Sequence, residues 1–217
     1  GGGGGLSFVG RRHLSATQPS RVGGRGEDGG EDDLSRVARV GDDSSGGDGE
    51  SANKSRKSYS LVGRGKGSAT VVTARHHEMA MDVPRSMGGK DASPQPVELL
   101  LAALMGCEQA TAGYVARHMT PRLPLRGISF EYCGYRDDRG ATALPIDQPP
   151  SVPARLTRIA GVAVVHLSRH ATPEPTERIN ELRRLVESRC PVANTLAAAG
   201  CQLDIQWRLA GDGDTHE

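Results

Sequence analysis

The order of secondary-structure patterns along the chain predicts an α+β fold with a mostly antiparallel sheet. Three observations carry this prediction: a glycine-rich hairpin pattern near residue 60, a long helix pattern of small apolar residues near residue 100, and apolar–polar alternation in later segments. The predicted elements follow the order β-β-β-α-β-β-α-α-β. Strands therefore come in blocks that helices separate, which is typical of α+β domains.

The first strands are predicted from short apolar runs that glycine and proline interrupt. Tyr59–Val62 and Ser68–Thr73 are expected to pair as a hairpin, with Gly63–Gly67 as the turn, because glycine adopts positive φ without strain. A third strand is predicted over His76–Val83, and Pro84 ends it because proline cannot donate to the ladder of a central strand.

A long helix is predicted after Pro94 and Pro96, with Ser93 as its N-cap. Its apolar residues recur at helical spacing, at Val97, Leu100, Leu101, Leu104, Cys107, Thr111 and Val115. Much of the remaining helix surface is alanine or glycine. A helix that is small and apolar nearly all round is expected to be buried centrally and packed closely against another helix.

The second half of the domain is predicted to hold three strands and two helices. Gly127–Tyr135 alternates apolar and polar residues, which indicates a strand with one wet face. Residues 137–158 are rich in proline and turn residues and predict a long loop. A buried strand is predicted at Ile159–Leu167. One helix is predicted to start at Thr172–Pro173 and a second to run from Cys190-Pro191 to Gly200, and a closing strand is predicted at Gln202–Leu209.

The first 57 residues differ in composition from the rest of the chain. Residues 1–50 hold 15 of the 29 glycines and almost no large apolar side chains, so this segment is predicted to be disordered. Its basic first part, around Arg11–Thr17, is expected to be either the remnant of a transit peptide or a low-complexity tail. The folded domain is predicted at residues 58–210, and a disordered tail at residues 211–217.

Charge, hydropathy and cysteine spacing exclude several function classes. The formal net charge of +1 gives no electrostatic reason to expect a nucleic-acid partner. No apolar run looks long enough to cross a bilayer, so we expect a soluble protein of the cytoplasm or the mitochondrial matrix, with no membrane partner. The spacing of cysteines and histidines fits no metal site, so no metal and no cofactor are expected.

Two of the four cysteines, Cys107 and Cys190, lie in settings that point to reactive thiols. Pro191 at the first helical position places Cys190 at an N-cap, where free N–H groups, the helix dipole and the adjacent Arg189 favour a thiolate. Cys107 lies on an apolar helix face, where burial disfavours the thiolate, so an arginine from another segment is expected to approach it. The alternative for either cysteine is a small, inert buried side chain.

Three stretches together resemble the OsmC/Ohr family of thiol peroxidases, over about residues 59–209. They are the Arg64–Gly67 segment, the Gly88-Gly89-Lys90 loop with the helix that reaches Cys107, and Cys190-Pro191-Val192. The resemblance implies an OsmC-like intertwined homodimer, in which antiparallel sheets wrap around two long central helices. It also implies that Cys107 is the peroxidatic thiol and Cys190 the resolving thiol.

Family members further use an arginine and a glutamate near the first thiol. Arg64 and Arg85 both match the arginine, and the sequence does not choose between them. The glutamate stands ten positions before the cysteine in the family pattern, where this chain has Val97. Glu98 follows one position later, which turns its side chain by about 100° around a continuous helix.

The resemblance implies a peroxidase that reduces organic hydroperoxides to alcohols, as part of an antioxidant response to oxidative stress. The route is a Cys107 sulfenic acid, then a Cys107–Cys190 disulfide, then reduction by an external thiol or dithiol. The Val97–Glu98 shift favours an alternative, an OsmC-like apolar-ligand-binding or stress protein without efficient peroxidase activity. A structural dimer with inert buried thiols is a third interpretation.

Overall fold

The computed structural model describes residues 56–168, 174–211 and 214. Over these residues the chain forms six strands in two three-stranded sheets, together with four α-helices. The α+β class and the order of the predicted elements agree with this architecture, which adds one short helix. Residues 1–55 of the predicted disordered segment lie outside the described residues, as do most residues of the predicted tail.

The first sheet is an antiparallel meander of β1 (Val62–Lys66), β2 (Ala69–Ala74) and β3 (His77–Met81). The predicted turn at Gly63–Gly67 is wrong, because only Gly67 of that segment lies in the turn and the others are strand residues paired with β2. A two-residue hairpin turn needs positive φ only at its own positions, and Gly67 supplies it with φ of 63°. Glycines before the turn adopt extended backbone as readily.

The loop after β3 is organised around the buried carboxylate of Asp82. It accepts hydrogen bonds from Ser68 Oγ at 2.8 Å and from the backbone N–H groups of Val83 at 2.8 Å and Lys90 at 3.0 Å. The Ser68 bond and then the backbone bonds lower the pKa of Asp82 to about 2. Gly89 passes so close that a Cβ there would lie 1.9 Å from the Val83 oxygen, which explains the Gly-Gly motif.

Helix α1 (Pro96–His118) begins after Gln95, so the prediction of Ser93 as N-cap is wrong. The carboxylate of Glu98 accepts the Gln95 N–H at 2.8 Å, as in a capping box. Pro96 fits the first helical position because its missing N–H would have no partner there.

The central burial predicted for α1 holds for one face only. The buried face packs on the core through Leu104, Glu108, Ala112, Val115 and Ala116. On the other side, Leu100, Ala103, Gly106, Ala110 and Tyr114 are exposed. The small, apolar residues seen in the sequence therefore form a face that no described part of this chain covers.

The second sheet consists of β4 (Leu125–Tyr135), β5 (Arg158–Leu167) and β6 (Gln202–Leu209). Strands β4 and β5 pair antiparallel, whereas β6 runs parallel to β5. This parallel pair requires a crossover between β5 and β6. The short helix α2 (Arg139–Thr142) lies earlier, in the β4–β5 connection, and the crossover contains α3 (Pro175–Glu187) and α4 (Pro191–Ala198).

The boundaries of the last helices agree with the sequence where the structure describes them. The predicted helix start at Thr172–Pro173 lies outside the described residues, and α3 begins at Pro175. Gly200 follows α4 with φ of 81°, as expected of a residue that terminates a helix in the left-handed conformation. Ile205 and Trp207 of β6 then face the core together, as their alternation predicts.

By length and composition, α1 is able to span a membrane, which contradicts the expectation that no segment is long enough. Its buried face, however, packs against β4, α3 and α4 and carries the carboxyl group of Glu108. The apolar composition of this face therefore reflects packing within the domain, whereas the opposite face is exposed.

Candidate active site

Cys190 is the N-cap residue of α4, as the Cys190-Pro191 pair predicts. Its Sγ accepts a hydrogen bond from the Ala193 N–H at 3.5 Å, and Pro191 occupies the first turn of the helix. The thiol therefore faces the free N–H groups of the helix start.

The expected activation of Cys190 is reversed by its burial. The residue is fully buried, and desolvation raises the pKa of its thiol to about 11 despite the Ala193 hydrogen bond, which lowers it. The neighbouring Cys107 thiol and Glu108 carboxyl raise it further. A single N–H group does not offset the loss of water around a thiolate. Cys190 is thus held as a neutral thiol beside Cys107.

Cys107 lies on α1, half-buried, and faces an open cavity of about 430 Å³. The walls of this cavity are mostly apolar, and they come from α1 and from the junction between α3 and α4. Its lining consists of Cys107, Ala110, Thr111, Tyr114, Arg189 and Pro191. An arginine thus shares the cavity of Cys107, but it is Arg189, which the sequence had associated with Cys190.

Glu108, next to Cys107 in sequence, points the other way and is buried. The Tyr132 hydroxyl of β4 donates to Glu108 Oε2 at 2.5 Å. Burial raises the pKa of Glu108 to about 7, with Glu187 adding to the effect and the Tyr132 bond opposing it. Burial and then the Glu108 carboxyl raise the pKa of Tyr132, and the Cys190 thiol contributes. Glu108, Tyr132 and Cys190 thus form one cluster, in which Glu108 and Cys190 are buried.

A second cavity, of about 280 Å³, lies on the inner side of Glu108. Its walls combine apolar residues of β6 and α4 with the carboxyl groups of α1 and α3. They are Glu108, Glu187, Ala193, Asn194, Ala197, Cys201, Leu203, Ile205 and Trp207. Glu108 therefore both lines this cavity and acts on the buried Cys190 thiol.

The pattern of the OsmC-like protein family matches residues 88–206, which is more than half of the 217 residues. The chain belongs to the OsmC-like protein family. The match begins at the Gly-Gly loop and includes α1, both candidate cysteines and most of β6. A comparison with curated protein sequences finds no match.

Solved structures show the same fold at low sequence identity. An OsmC-like protein from Mycoplasma pneumoniae is 20% identical with a TM-score of 0.54, and the alignment covers 71% of this chain and 99% of that one. An OsmC-like protein of unknown function from Vibrio cholerae has 12% identity, a TM-score of 0.54 and coverages of 71% and 100%. An organic hydroperoxide resistance protein from Elizabethkingia anophelis has 13% identity, a TM-score of 0.50 and coverages of 72% and 99%.

The OsmC-like domain brings Cys107 and Cys190 together and places the other predicted site residues elsewhere. Arg64 lies on β1 and Arg85 in a short 3-10 helix, and both are exposed. Neither lines the cavity beside Cys107. Glu98 is exposed at the start of α1, where its carboxylate caps the helix. Their roles beside Cys107 stay predictions.

Neither Glu108 nor Tyr132 is among the site residues that the sequence predicts. One signal was present in the sequence of the OsmC-like helix. Glu108 stands four residues after Leu104 and four before Ala112, so it falls on the apolar stripe. An acid at such a position is buried and requires a partner. The partner itself comes from β4, 24 residues away, which helical spacing does not reveal.

Over the part of the OsmC-like chain that the structure describes, no group of three or more His, Cys, Asp or Glu residues is placed to hold a metal ion. Cys133 is exposed on β4, and Cys201 is buried just before β6.

Proposed function

We propose that this OsmC-like protein is a thiol-dependent peroxidase that reduces organic hydroperoxides to alcohols. The observation that carries the proposal is the placement of Cys190, a buried N-cap thiol, next to Cys107, a thiol that opens onto a cavity. An accessible thiol beside a resolving thiol is the arrangement that sulfenic acid chemistry needs. The family shown by residues 88–206 supports the same chemistry.

The first step takes place at Cys107. Its thiolate attacks the distal oxygen of the hydroperoxide, so that a sulfur–oxygen bond forms and the oxygen–oxygen bond breaks. The alkoxide leaves as the alcohol after taking a proton from solvent, and Cys107 becomes a sulfenic acid. The Arg189 guanidinium lies in the same cavity, where its positive charge stabilises the thiolate and the departing oxygen.

The second step joins the two cysteines. Cys190 attacks the Cys107 sulfur, a disulfide forms and water leaves. An external thiol or dithiol then reduces the disulfide by exchange, which restores both thiols. This step is the reason for a buried Cys190: a neutral thiol that solvent does not reach is protected from oxidation by peroxide until Cys107 has reacted.

The lining of the cavity favours an apolar substrate. Ala110, Tyr114 and Pro191 give the cavity apolar walls, and Arg189 is the one charged residue among the described residues that line it. Alkyl and aryl hydroperoxides bury apolar surface there, whereas hydrogen peroxide does not. We therefore propose organic hydroperoxides as the substrate class, with a homodimer of the cytoplasm or the mitochondrial matrix as the working form.

The proposal is tested by stopped-flow turnover of cumene hydroperoxide and of hydrogen peroxide with a dithiol reductant. Wild type is expected to prefer cumene hydroperoxide. Cys107→Ser is expected to abolish turnover, because it removes the nucleophile. Cys190→Ser is expected to keep the first turnover and to accumulate sulfenic acid, because the resolving thiol is missing.

Cys133→Ser is the matched control, since Cys133 is an exposed cysteine on a different element. It is expected to turn over at the wild-type rate. Equal turnover by wild type and Cys107→Ser contradicts the proposal, and would favour the apolar-ligand-binding alternative instead.

A further inference from the structure

Disulfide formation between the two cysteines requires a base that the thiols do not supply. Cys190 is fully buried and its thiol is held neutral, so its proton has to leave before or as its sulfur attacks. Bulk water does not contact it directly. A base must therefore come from the side chains that surround the thiol.

Glu108 is the carboxyl group placed to take this proton. It belongs to the same buried cluster as Cys190, since its charge acts on the Cys190 thiol while Tyr132 interacts with both. Its exposed fraction is 3%, and the Tyr132 hydroxyl fixes Oε2 at 2.5 Å. The side chain also lines the 280 Å³ cavity, which gives a proton a way out to solvent.

We propose that Glu108 is the base that accepts the thiol proton of Cys190 when Cys190 attacks oxidised Cys107. This inference rests on the proposed peroxidase function for its oxidant, the sulfenic acid on Cys107. It assigns a chemical task to the one buried acid of α1, at the position directly after the reactive cysteine.

Atoms and electrons are conserved when Cys190 attacks the sulfenic acid of Cys107. The Cys190 sulfur forms a bond to the Cys107 sulfur, and the bond between that sulfur and its hydroxyl oxygen breaks. Cys190 is oxidised and the sulfenic sulfur of Cys107 is reduced. The Cys190 proton moves to the Glu108 carboxylate and from there through the 280 Å³ cavity to solvent. The hydroxide leaves Cys107 into the other cavity and takes a proton from solvent there, so that one water is released.

The groups that face Glu108 explain why it is suited to this role. Tyr132 approaches from β4, Glu187 from α3 and Cys190 from the start of α4, while Cys201 lies across the cavity beside β6. None of the described residues that line this cavity is a cation, and burial raises the pKa of Glu108 to about 7. A base with a pKa near the working pH is the most effective one in proton transfer.

The sign of the pH dependence follows from this pKa. Below about pH 7 the Glu108 carboxyl is protonated and accepts no proton, and above it the carboxylate is available. The rate of disulfide formation in wild type is therefore expected to rise as the pH increases through about 7. Tyr132→Phe removes a bond that lowers this pKa, so it is expected to move the rise to higher pH.

The experiment measures disulfide formation by itself in the full-length protein. Reduced enzyme is mixed with one equivalent of cumene hydroperoxide, and samples are quenched with dimedone to trap sulfenic acid and analysed by mass spectrometry. Glu108→Gln is expected to lengthen the lifetime of the sulfenic acid by about 10²-fold, the low end of general-base effects, and to remove the rise near pH 7. Glu108→Asp is expected to recover part of both.

Glu131→Gln is the matched control, because Glu131 is an exposed acid next to Tyr132 on β4. It is expected to keep the wild-type lifetime and pH profile. Glu108→Gln keeps the shape of the side chain and an oxygen for the Tyr132 hydroxyl, so it isolates the loss of the base. A wild-type pH profile in Glu108→Gln overturns the inference.

A second arm uses diamide, which forms an adduct on a thiol without any peroxide. Cys190 then displaces the hydrazine product from Cys107, and this attack needs the same base. If wild type forms no sulfenic acid with hydroperoxide but its diamide reaction depends on Glu108, the peroxidase proposal fails and the role of Glu108 stands. If Cys107 and Cys190 form no disulfide in either arm, both are overturned.

Discussion

Arg189 directly precedes Cys190 and lines the cavity onto which Cys107 opens. Its side chain is exposed and also donates to Ser188 Oγ at 3.0 Å. Because α3 ends at Glu187 and α4 begins at Pro191, the short junction turns this arginine toward α1. The sequence led us to seek a cation for Cys107 in Arg64 or Arg85. The structure places a different arginine, Arg189, in the cavity of Cys107, two residues before α4 begins.

Arg189→Ala is predicted to slow the formation of sulfenic acid on Cys107 by about tenfold, because a cation close to a thiol favours the thiolate. The difference is expected to shrink as ionic strength rises, since the exposed guanidinium is screened by salt. Stopped-flow measurement of the second-order rate constant with cumene hydroperoxide tests this.

Arg184→Ala provides the comparison, since Arg184 is an exposed arginine of α3 that does not line the cavity. It should react at the wild-type rate. If Arg189→Ala also reacts at that rate, Arg64 and Arg85 become the arginines to replace next.

Single residues of the site were visible in the sequence to different degrees. Cys107 and Cys190 were found because thiols are rare and their local settings, a small-residue helix and a Cys-Pro helix start, are distinctive. The protonation of Cys190 was not predicted correctly, because desolvation depends on atoms from distant segments. Glu108 and Tyr132 were missed as a pair for the same reason.

At the level of elements, the connection from β3 to α1 is held by one carboxylate. Asp82 is 1% exposed. Its carboxylate accepts hydrogen bonds from Ser68, in the turn before β2, and from Lys90, in the loop that leads to α1. The glycines of this loop were visible in the sequence, whereas Asp82 was not singled out. Its role depends on where Ser68 and Lys90 come to lie.

Asp82→Asn is predicted to lower the melting temperature by several degrees, because an amide NH₂ would replace an oxygen that faces N–H donors. The pKa of Asp82 is lowered from 3.8 to about 2, so its stabilising effect is present above about pH 4 and lost as pH falls through about 2. Thermal unfolding of both proteins over this range measures the difference.

The matched control is Asp91→Asn, since Asp91 is an exposed acid in the same loop. Its positive φ of 57° is one that asparagine also adopts. This variant should unfold as wild type does. Equal melting temperatures for Asp82→Asn and wild type at neutral pH would refute the anchoring role of Asp82.

At the scale of the whole molecule, two apolar surfaces are left uncovered by the residues that the structure describes. All five residues of β1 and four of five in β3 are exposed, although Val62 and Met79 are apolar, and the apolar Val71 of β2 is exposed as well. A three-stranded sheet needs a buried face to be stable. The outer face of α1, with Leu100 and Tyr114, is likewise uncovered. A second copy of the chain is the occupant that the homodimer proposal assigns to both surfaces.

Ala103→Glu is predicted to convert a dimer into a monomer, because Ala103 is exposed on the small-residue face of α1 and a charge there cannot be buried unpaired. Analytical ultracentrifugation of wild type and variant measures the mass in solution. Thr176→Glu, in the exposed first turn of α3, adds the same charge away from this face and should remain dimeric. A monomeric wild type would contradict the homodimer.

The sequence by itself determined the α+β class, the order of the elements, the family resemblance and the two cysteines, because each is encoded in local periodicity, turn residues or short motifs. Only the tertiary structure decided that Cys190 is a neutral buried thiol, that Arg189 shares the cavity of Cys107, and that Glu108 bonds to Tyr132. Burial, charge and hydrogen bonding depend on which distant segments meet, and α1, β4 and the α3–α4 junction meet only in the folded chain.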